Sequence, residues 1–175
     1  FETTGTFGDA TTVNFTASDT AVGYSFRGEP VTINEQVWNF DIDDSGDVRP
    51  LTDGLLVVRH LAGLPPASVV QDAADPLGAR TDPEEIAAYI EQGKTTVANL
   101  DGTSSAILDV DASGDVRALT DGLMIVRFLA GLPKESVLAN ACDPTGLRID
   151  PDVIMAYLNT LLPPAAIRGP SGSTL

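Results

Sequence analysis

The feature that most constrains how this chain can fold is a long internal repeat. Residues 41–90 align without a gap to residues 109–158, and 31 of the 50 aligned positions are identical. Each copy carries an acidic stretch (DIDDSGDVRPLTD or DVDASGDVRALTD), then LAGLP, then the pattern D-P-x-G-x-R-x-D-P. Repetition over this length indicates one structural unit used twice. The sequence therefore predicts two tandem units, a first segment over 39–94 and a second segment over 95–162.

Each segment is predicted to hold two helices, which makes the expected fold class mainly α. The first helix should begin near Thr52 in one segment and near Thr120 in the other. A glycine and then a proline follow its last apolar residues, a common way for a helix to end. Its predicted core stripe recurs at helical spacing in both copies. The stripe consists of Leu51, Leu55, Val58 and Ala62, matched by Leu119, Leu123, Val126 and Ala130.

The second helix of each segment has a clear start signal. Asp82-Pro83 and Asp150-Pro151 each combine an N-cap acceptor with a proline in the first helical turn. A short amphipathic helix must bury its apolar face, so its stripe is interpreted as core. The stripe consists of Ile86, Tyr89 and Ile90, matched by Ile154, Tyr157 and Leu158.

The remaining stretches differ in composition from these helical parts. Residues 1–38 cluster β-forming residues between turn-like stretches, which predicts a short β-meander. This meander is either the end of a preceding domain or a cap on the first segment. The start of the second segment is predicted to form a small β ribbon. Residues 163–175 have the proline, glycine and serine content of a linker or tail.

The acidic stretch has the spacing of a cation-binding loop. Calcium takes six to eight oxygen ligands. Acceptors at loop positions 1, 3 and 5, a glycine at 6, a backbone carbonyl at 7 and a later carboxylate can supply them. The sequence therefore predicts two calcium ions per chain, one in each segment. The predicted ligands are Asp41, Asp43, Ser45, Asp47 and Asp53 in the first acidic loop (41–53), and Asp109, Asp111, Ser113, Asp115 and Asp121 in the second (109–121).

Each acidic loop follows a β-like stretch where an EF-hand would have an entering helix. In this it resembles the calcium loop–helix repeat of bacterial type I dockerins, over roughly 41–64 and 109–132. The closing aspartate stands at loop position 13, one residue later than in dockerins. The resemblance implies two tandem EF-hand-like loop–helix–turn–helix units. It also implies a bacterial protein that is secreted or held at the cell surface.

A second, weaker loop pattern follows in each segment. Residues 73–84 and 141–152 keep a glycine at the sixth place and an acid at the twelfth, but lack most ligand side chains. Two interpretations stay open: degenerate partners of the calcium loops, or ordinary helix–helix turns capped by the aspartate that opens the second helix. Arg80 and Arg148 are expected to pair with the aspartate five residues earlier or to cap a helix C-terminus.

Composition excludes several classes of function. The formal net charge of −15 would repel a nucleic acid. There is no apolar stretch of about 18 residues that could insert into a membrane. Cys142 is the only cysteine, which excludes an internal disulfide and a cysteine-based zinc cluster. Its counterpart is Ala74, and Phe128 is the counterpart of the only histidine, His60. These exchanges predict that the chain is not an enzyme.

The sequence thus predicts a non-catalytic calcium-binding module, a calcium-stabilised spacer in a large extracellular bacterial protein. The alternative is a docking module that presents the first helix of each segment to another protein, as dockerins do to cohesins. An exposed apolar patch around Val57 and its counterpart Ile125 would favour docking. A cytosolic calcium sensor is disfavoured, because such sensors expose methionine-rich grooves and this chain has only two methionines.

Overall fold

The structure, a computed structural model, describes residues 11–13, 31–33, 38–98 and 104–163. This part of the chain is mainly helical, as the sequence predicts. The whole chain divides into two compact units, Phe1–Val37 and Trp38–Leu175.

In the first unit, two short strands pair in antiparallel fashion. Strand β1 is Thr11–Val13 and strand β2 is Val31–Ile33, with Thr12 opposite Thr32. The rest of the β-meander predicted over residues 1–38 lies outside the described residues, apart from Trp38.

The second unit contains both segments, and the helical elements of each follow the same order. A π-helical turn leads directly into a first helix; a five-residue helix and a longer third helix follow. The sequence predicts only a turn where the five-residue helices lie. In the first segment the elements are the π-helical turn Pro50–Gly54, α1 (Leu55–Leu61), α2 (Pro66–Val70) and α3 (Pro83–Gln92). In the second they are β3 (Thr96–Ala98) paired with β4 (Ser104–Ala106), the π-helical turn Ala118–Gly122, α4 (Leu123–Leu129), α5 (Lys134–Leu138) and α6 (Pro151–Thr160).

The ends of the longer helices follow local sequence rules. The Asp82 carboxylate caps α3 by accepting hydrogen bonds from the Glu84 and Glu85 amides, and Asp150 caps α6 in the same way. Gly63, just beyond α1, has a φ of +79°, a left-handed conformation that suits glycine. These features confirm the predicted starts of α3 and α6 and the predicted end of α1.

The core face of α1 differs from the predicted stripe. Leu51 is 75% exposed and Ala62 is also exposed, whereas Leu56 and Val57 are completely buried. The counterparts in α4, Met124 and Ile125, are buried as well. The predicted stripe is therefore wrong at Leu51 and Ala62, whereas Leu55 and its counterpart Leu123 are partly buried and pack against the core. Val57 and Ile125, at the centre of the apolar patch considered for docking, are buried in the core.

The two segments pack against each other through reciprocal contacts. A Cβ atom placed on Gly54 would lie 3.1 Å from Val126 Cγ2, and one placed on Gly122 would lie 3.1 Å from Val58 Cγ2. Gly122 is the counterpart of Gly54, and Val126 is the counterpart of Val58, so the two contacts are equivalent. Contacts that exchange in this way define a pseudo-twofold relation between the segments.

The residue before each acidic loop forms a backbone hydrogen bond with the end of the other segment, in agreement with the pseudo-twofold relation. The Phe40 amide donates to the Leu161 carbonyl at the end of the second segment (2.9 Å). The Leu108 amide donates to the Gly93 carbonyl at the end of the first (2.8 Å). Buried side chains from both segments form one hydrophobic cluster. The two acidic loops therefore belong to one packed body. None of the described helices is both long and apolar enough to cross a lipid bilayer.

Candidate metal centres

Three of the five predicted ligands in each acidic loop converge on one point. Asp41, Asp43 and Asp53 each place a carboxylate oxygen within 4.8 Å of the other two. All three side chains are buried, with exposures of 8%, 0% and 0%. The second segment brings together Asp109, Asp111 and Asp121 in the same way. We call these sets the first and second acidic triads, and each could hold a metal ion.

The π-helical turn explains how the closing aspartate reaches its triad from loop position 13. In the Pro50–Gly54 turn the Gly54 amide donates to the Arg49 carbonyl, five residues earlier (3.2 Å). A π-turn holds one more residue per hydrogen-bonded ring than an α-turn. The extra residue is therefore absorbed in the first turn of the helix, and Asp53 still points at the loop. The Ala118–Gly122 turn does the same for Asp121.

Backbone amides fix the closing aspartate. Asp53 Oδ1 accepts from the Ile42 amide (2.8 Å), and Oδ2 accepts from the Arg49 amide (2.8 Å) and from Thr52 Oγ1 (2.7 Å). Asp121 has the equivalent three bonds in the second segment, at 2.7, 2.9 and 2.8 Å. The start and the end of each acidic loop are therefore linked through one carboxylate.

The other two carboxylates of each triad are fixed from within the loop. Gly46, with a φ of +84°, turns the chain so that the Ser45 and Gly46 amides both donate to the Asp41 carboxylate at 2.9 Å. The Ser45 amide also reaches Asp43 Oδ1 (3.2 Å), and Asp43 Oδ2 accepts from the Asp75 amide (2.8 Å). All of these contacts recur 68 residues later.

The two remaining predicted ligands of each loop take other positions. Ser45 Oγ donates to the Asp47 carbonyl (3.1 Å), and the Asp47 carboxylate pairs with Arg49 (2.8 Å). Asp47 is predicted as a ligand through its carbonyl, so the direction of its carboxylate does not test that assignment. Ser113 and Asp115 have the same arrangement. For all four residues, metal ligation remains a prediction.

The turn that follows α2 packs directly on the first acidic loop. We call residues 75–80, and 143–148 in the second segment, the DP turns. The Ala79 and Arg80 amides donate to the Asp44 and Asp43 carbonyls at 3.1 and 2.9 Å. The expectation that Arg80 pairs with Asp75 is wrong, because its side chain instead donates to loop carbonyls. Arg148 does the same in the second segment, and Asp75 is paired with Arg49.

Other candidate reactive groups lie outside the triads. The His60 ring nitrogen Nε2 lies 3.0 Å from the Glu91 carboxylate. Cys142 is half-buried, and burial raises the pKa of its thiol, which disfavours the nucleophilic thiolate. Among the residues that the structure describes, only the two acidic triads bring three or more metal-binding side chains together.

Among the described residues, no triad carboxylate forms a salt bridge with a basic side chain. Within the described part of the chain, every salt bridge joins side chains other than the six triad carboxylates. Two negative charges less than 4.8 Å apart repel by roughly 3–4 kcal/mol at an effective dielectric constant of about 20. Backbone amides offset part of this repulsion, but a bound cation would remove it.

Burial raises the pKa of four triad carboxyls above the usual 3.8. In Asp53 and Asp121 the loss of solvation exceeds the opposing effect of the hydrogen bonds from Arg49 and Arg117. In Asp41 and Asp109 it exceeds the effect of the glycine and serine amides. The charged triad is therefore a destabilising feature of the metal-free protein at neutral pH.

The stability of the metal-free protein should depend on pH with an unusual sign. A carboxyl whose pKa is raised by folding stabilises the protein below its unfolded pKa, and this contribution is lost as pH rises through the folded pKa. In EDTA, the free energy of unfolding should therefore fall as pH increases from about 4 towards 7. In excess calcium it should rise over the same range, because the ligands must be deprotonated to bind. Urea unfolding at several pH values tests this, and parallel pH profiles in the two media would contradict it.

No family model, curated protein or solved structure matches the chain.

Proposed function

We propose that each acidic triad is the centre of a calcium site, so that the chain binds two calcium ions. The observation that carries the proposal is the convergence of three buried carboxylates, found twice at equivalent positions, with no salt bridge to them from any described basic side chain. The ligands are all oxygens, which suits a hard cation such as calcium or magnesium. Calcium is favoured because the predicted ligand set exceeds three carboxylates, whereas magnesium demands strict octahedral geometry and keeps several waters.

On this proposal each segment is an EF-hand-like unit in which the acidic loop holds the metal and the DP turn supports the loop. The serine at loop position 5 and the aspartate carbonyl at position 7 would complete the oxygen shell. The DP turn places only one acid near the metal-binding loop and supplies backbone amides there. We therefore assign it a supporting role.

The biological role that we propose is a non-catalytic, calcium-stabilised structural module of a secreted or cell-surface bacterial protein. Calcium is millimolar outside cells, and extracellular modules bind it with dissociation constants of about 10⁻⁴ to 10⁻³ M. Two segments packed across one core would then form a rigid body when both sites are filled. Docking to another protein is the alternative. The apolar side chains left exposed for docking include Leu51 and Leu119, in the π-helical turns that precede the first helices, which are 75% and 79% exposed.

The number of bound ions gives a direct test. Native mass spectrometry of the full chain in calcium should show two ions, and Asp53→Asn and Asp121→Asn should each show one. Asparagine keeps the side-chain shape but removes the charge of the closing ligand. Asp82→Asn is the matched control, because that aspartate caps α3 and lies outside both triads. Zero or one ion in the unaltered chain, or two in the Asp121→Asn variant, would contradict the proposal.

Metal selectivity is checked in the same experiment. Magnesium at equal concentration should leave the two calcium ions in place. Displacement of calcium by magnesium would show that the sites prefer the smaller ion.

A further inference from the structure

One arginine in each segment makes contacts with the acidic loop that the metal chemistry does not require. Arg148 is buried, with 8% exposure. Its Nη1 atom donates to the Asp109 carbonyl (3.1 Å) and to the Val110 carbonyl (2.6 Å). Its backbone amide donates to the Asp111 carbonyl (2.8 Å). A single residue therefore holds three successive carbonyls of the second acidic loop.

The first segment repeats this arrangement. Arg80 Nη1 donates to the Asp41 and Ile42 carbonyls, and the Arg80 amide donates to the Asp43 carbonyl (2.9 Å). The same three loop positions are held in both segments.

An aromatic ring supports each guanidinium. The Arg148 guanidinium carbon lies 3.7 Å from the centre of the Tyr157 ring, and Tyr157 donates its hydroxyl to the Ile107 carbonyl (2.6 Å). Arg80 lies over Tyr89 in the same way, at 3.8 Å. Arginine suits this position because its planar group stacks on a ring while its N–H groups point outward in a fixed fork. A lysine would keep the charge and lose both features.

The carbonyls held by the arginine belong to the residues that build the triad. Asp109 and Asp111 supply two of its carboxylates. Val110, between them, donates its amide to the third carboxylate, that of Asp121, while its carbonyl accepts from Arg148. The arginine thus fixes the peptide units that connect Asp109 with Asp111 and whose Val110 amide bonds to Asp121. It bonds to the Asp109 and Asp111 carbonyls, while the carboxylates of the same two residues belong to the triad.

We infer that Arg80 and Arg148 are positioning residues for the two cation sites, holding the ligand backbone in its binding geometry without contacting the metal. This inference rests on the proposed calcium sites. The guanidinium bonds to carbonyls and forms no salt bridge with a carboxylate among the described residues. The triad charge therefore remains available to the cation.

The test is the calcium affinity of one isolated site. In the Asp53→Asn background, which leaves the second site, Arg148→Lys should weaken calcium binding by about 10- to 100-fold, the usual effect of losing an outer-shell partner. The substitution keeps the positive charge, so a change in affinity reports the lost hydrogen bonds and stacking. Isothermal titration calorimetry of the full chain measures it. Arg127→Lys is the matched control, because Arg127 also donates to carbonyls, at Val137 and Ala139, but lies outside the loop. It should leave the calcium affinity unchanged.

A second variant covers the case in which Arg148→Lys does not fold. Arg80 is less buried, so Arg80→Lys in the Asp121→Asn background should fold and show the same loss of affinity at the first site. Unchanged calcium affinity in a folded arginine variant, with equal loss of stability in calcium and in EDTA, would overturn the inference and leave the calcium sites intact. No calcium binding by the unaltered chain would instead overturn the proposed function.

Discussion

Removing calcium should lower the melting temperature of the chain by roughly 10–20 °C. At a free calcium concentration about 100 times the dissociation constant, each site stabilises the folded state by about 2.7 kcal/mol. Two sites together contribute about 5 kcal/mol, and each kcal/mol shifts the melting temperature by about 2–4 °C in a chain of this size. The expected change is a large part of the whole stability of an ordinary domain.

The physical reason is the burial of three carboxylates in each triad. The ligands are gathered only in the folded chain, so the metal binds the folded state and its binding energy adds to folding. Without metal, the folded protein keeps the repulsion within each triad and the raised pKa of Asp53 and Asp121.

Differential scanning calorimetry in calcium, in EDTA, and in EDTA followed by excess calcium measures the effect. Because the chain carries a net charge of −15, any salt would screen some repulsion. Sodium chloride at matched ionic strength is therefore the control, and it should recover little of the loss. Equal melting temperatures in calcium and in EDTA would rule out calcium as a stabilising ligand.

The position of the triads is the part of the structure that the sequence predicts best. Asp41, Asp43 and Asp53 are close in the chain, and a glycine between them sets the turn, so hydrogen bonds within the loop account for much of their convergence. The same holds for the caps of α3 and α6, because an N-cap aspartate contacts amides only two or three residues away. Features that depend on short-range contacts could be predicted.

The phase of α1 could not be predicted from hydrophobic periodicity. The stretch 51–62 is apolar on most sides, so more than one stripe fits a helical period. The structure selects the face that carries Asp53, since Leu56 and Val57 stand three and four positions after it and are buried with it. The buried face of α1 is therefore continuous with the closing aspartate. Because Asp53 is a predicted ligand, its position could have been used to choose the buried face of α1.

The role of Arg80 also escaped prediction, because its carbonyl partners lie 38 and 39 residues earlier in the chain. No local pattern points to such a contact. The available signal is that the arginine recurs in both copies of the D-P-x-G-x-R pattern while several neighbouring residues differ. Gly78 and Gly146 recur for a related reason, since each DP turn lies against its acidic loop.

The second large effect is expected for Gly146→Ala. A Cβ atom at Gly146 would lie 2.3 Å from the Asp111 carbonyl oxygen and 3.2 Å from the Asp143 carbonyl oxygen. Both neighbours are backbone atoms, so no side chain can rotate to make room. The Asp111 carbonyl also accepts the Arg148 amide, and the Asp111 carboxylate accepts the Asp143 amide. The loop and the DP turn must therefore separate, which should cost about 3 kcal/mol, the upper end of the usual range for overpacking.

Separation of these backbones should also damage the metal site, because Asp111 belongs to the second triad. We expect Gly146→Ala to bind one calcium ion instead of two, and its stability loss, measured by urea unfolding, to be larger in calcium than in EDTA. Gly131→Ala is the matched control. Gly131 has a φ of +71° and open space around it, so alanine there adds only backbone strain of about 1–2 kcal/mol. That variant should keep both ions.

If Gly146→Ala kept two ions and full stability, the DP turn could not lie as close to the acidic loop as the structure places it. The supporting role that we assign to that turn and to Arg148 would then be wrong, whereas the proposal of a calcium site at the second acidic triad would be unaffected.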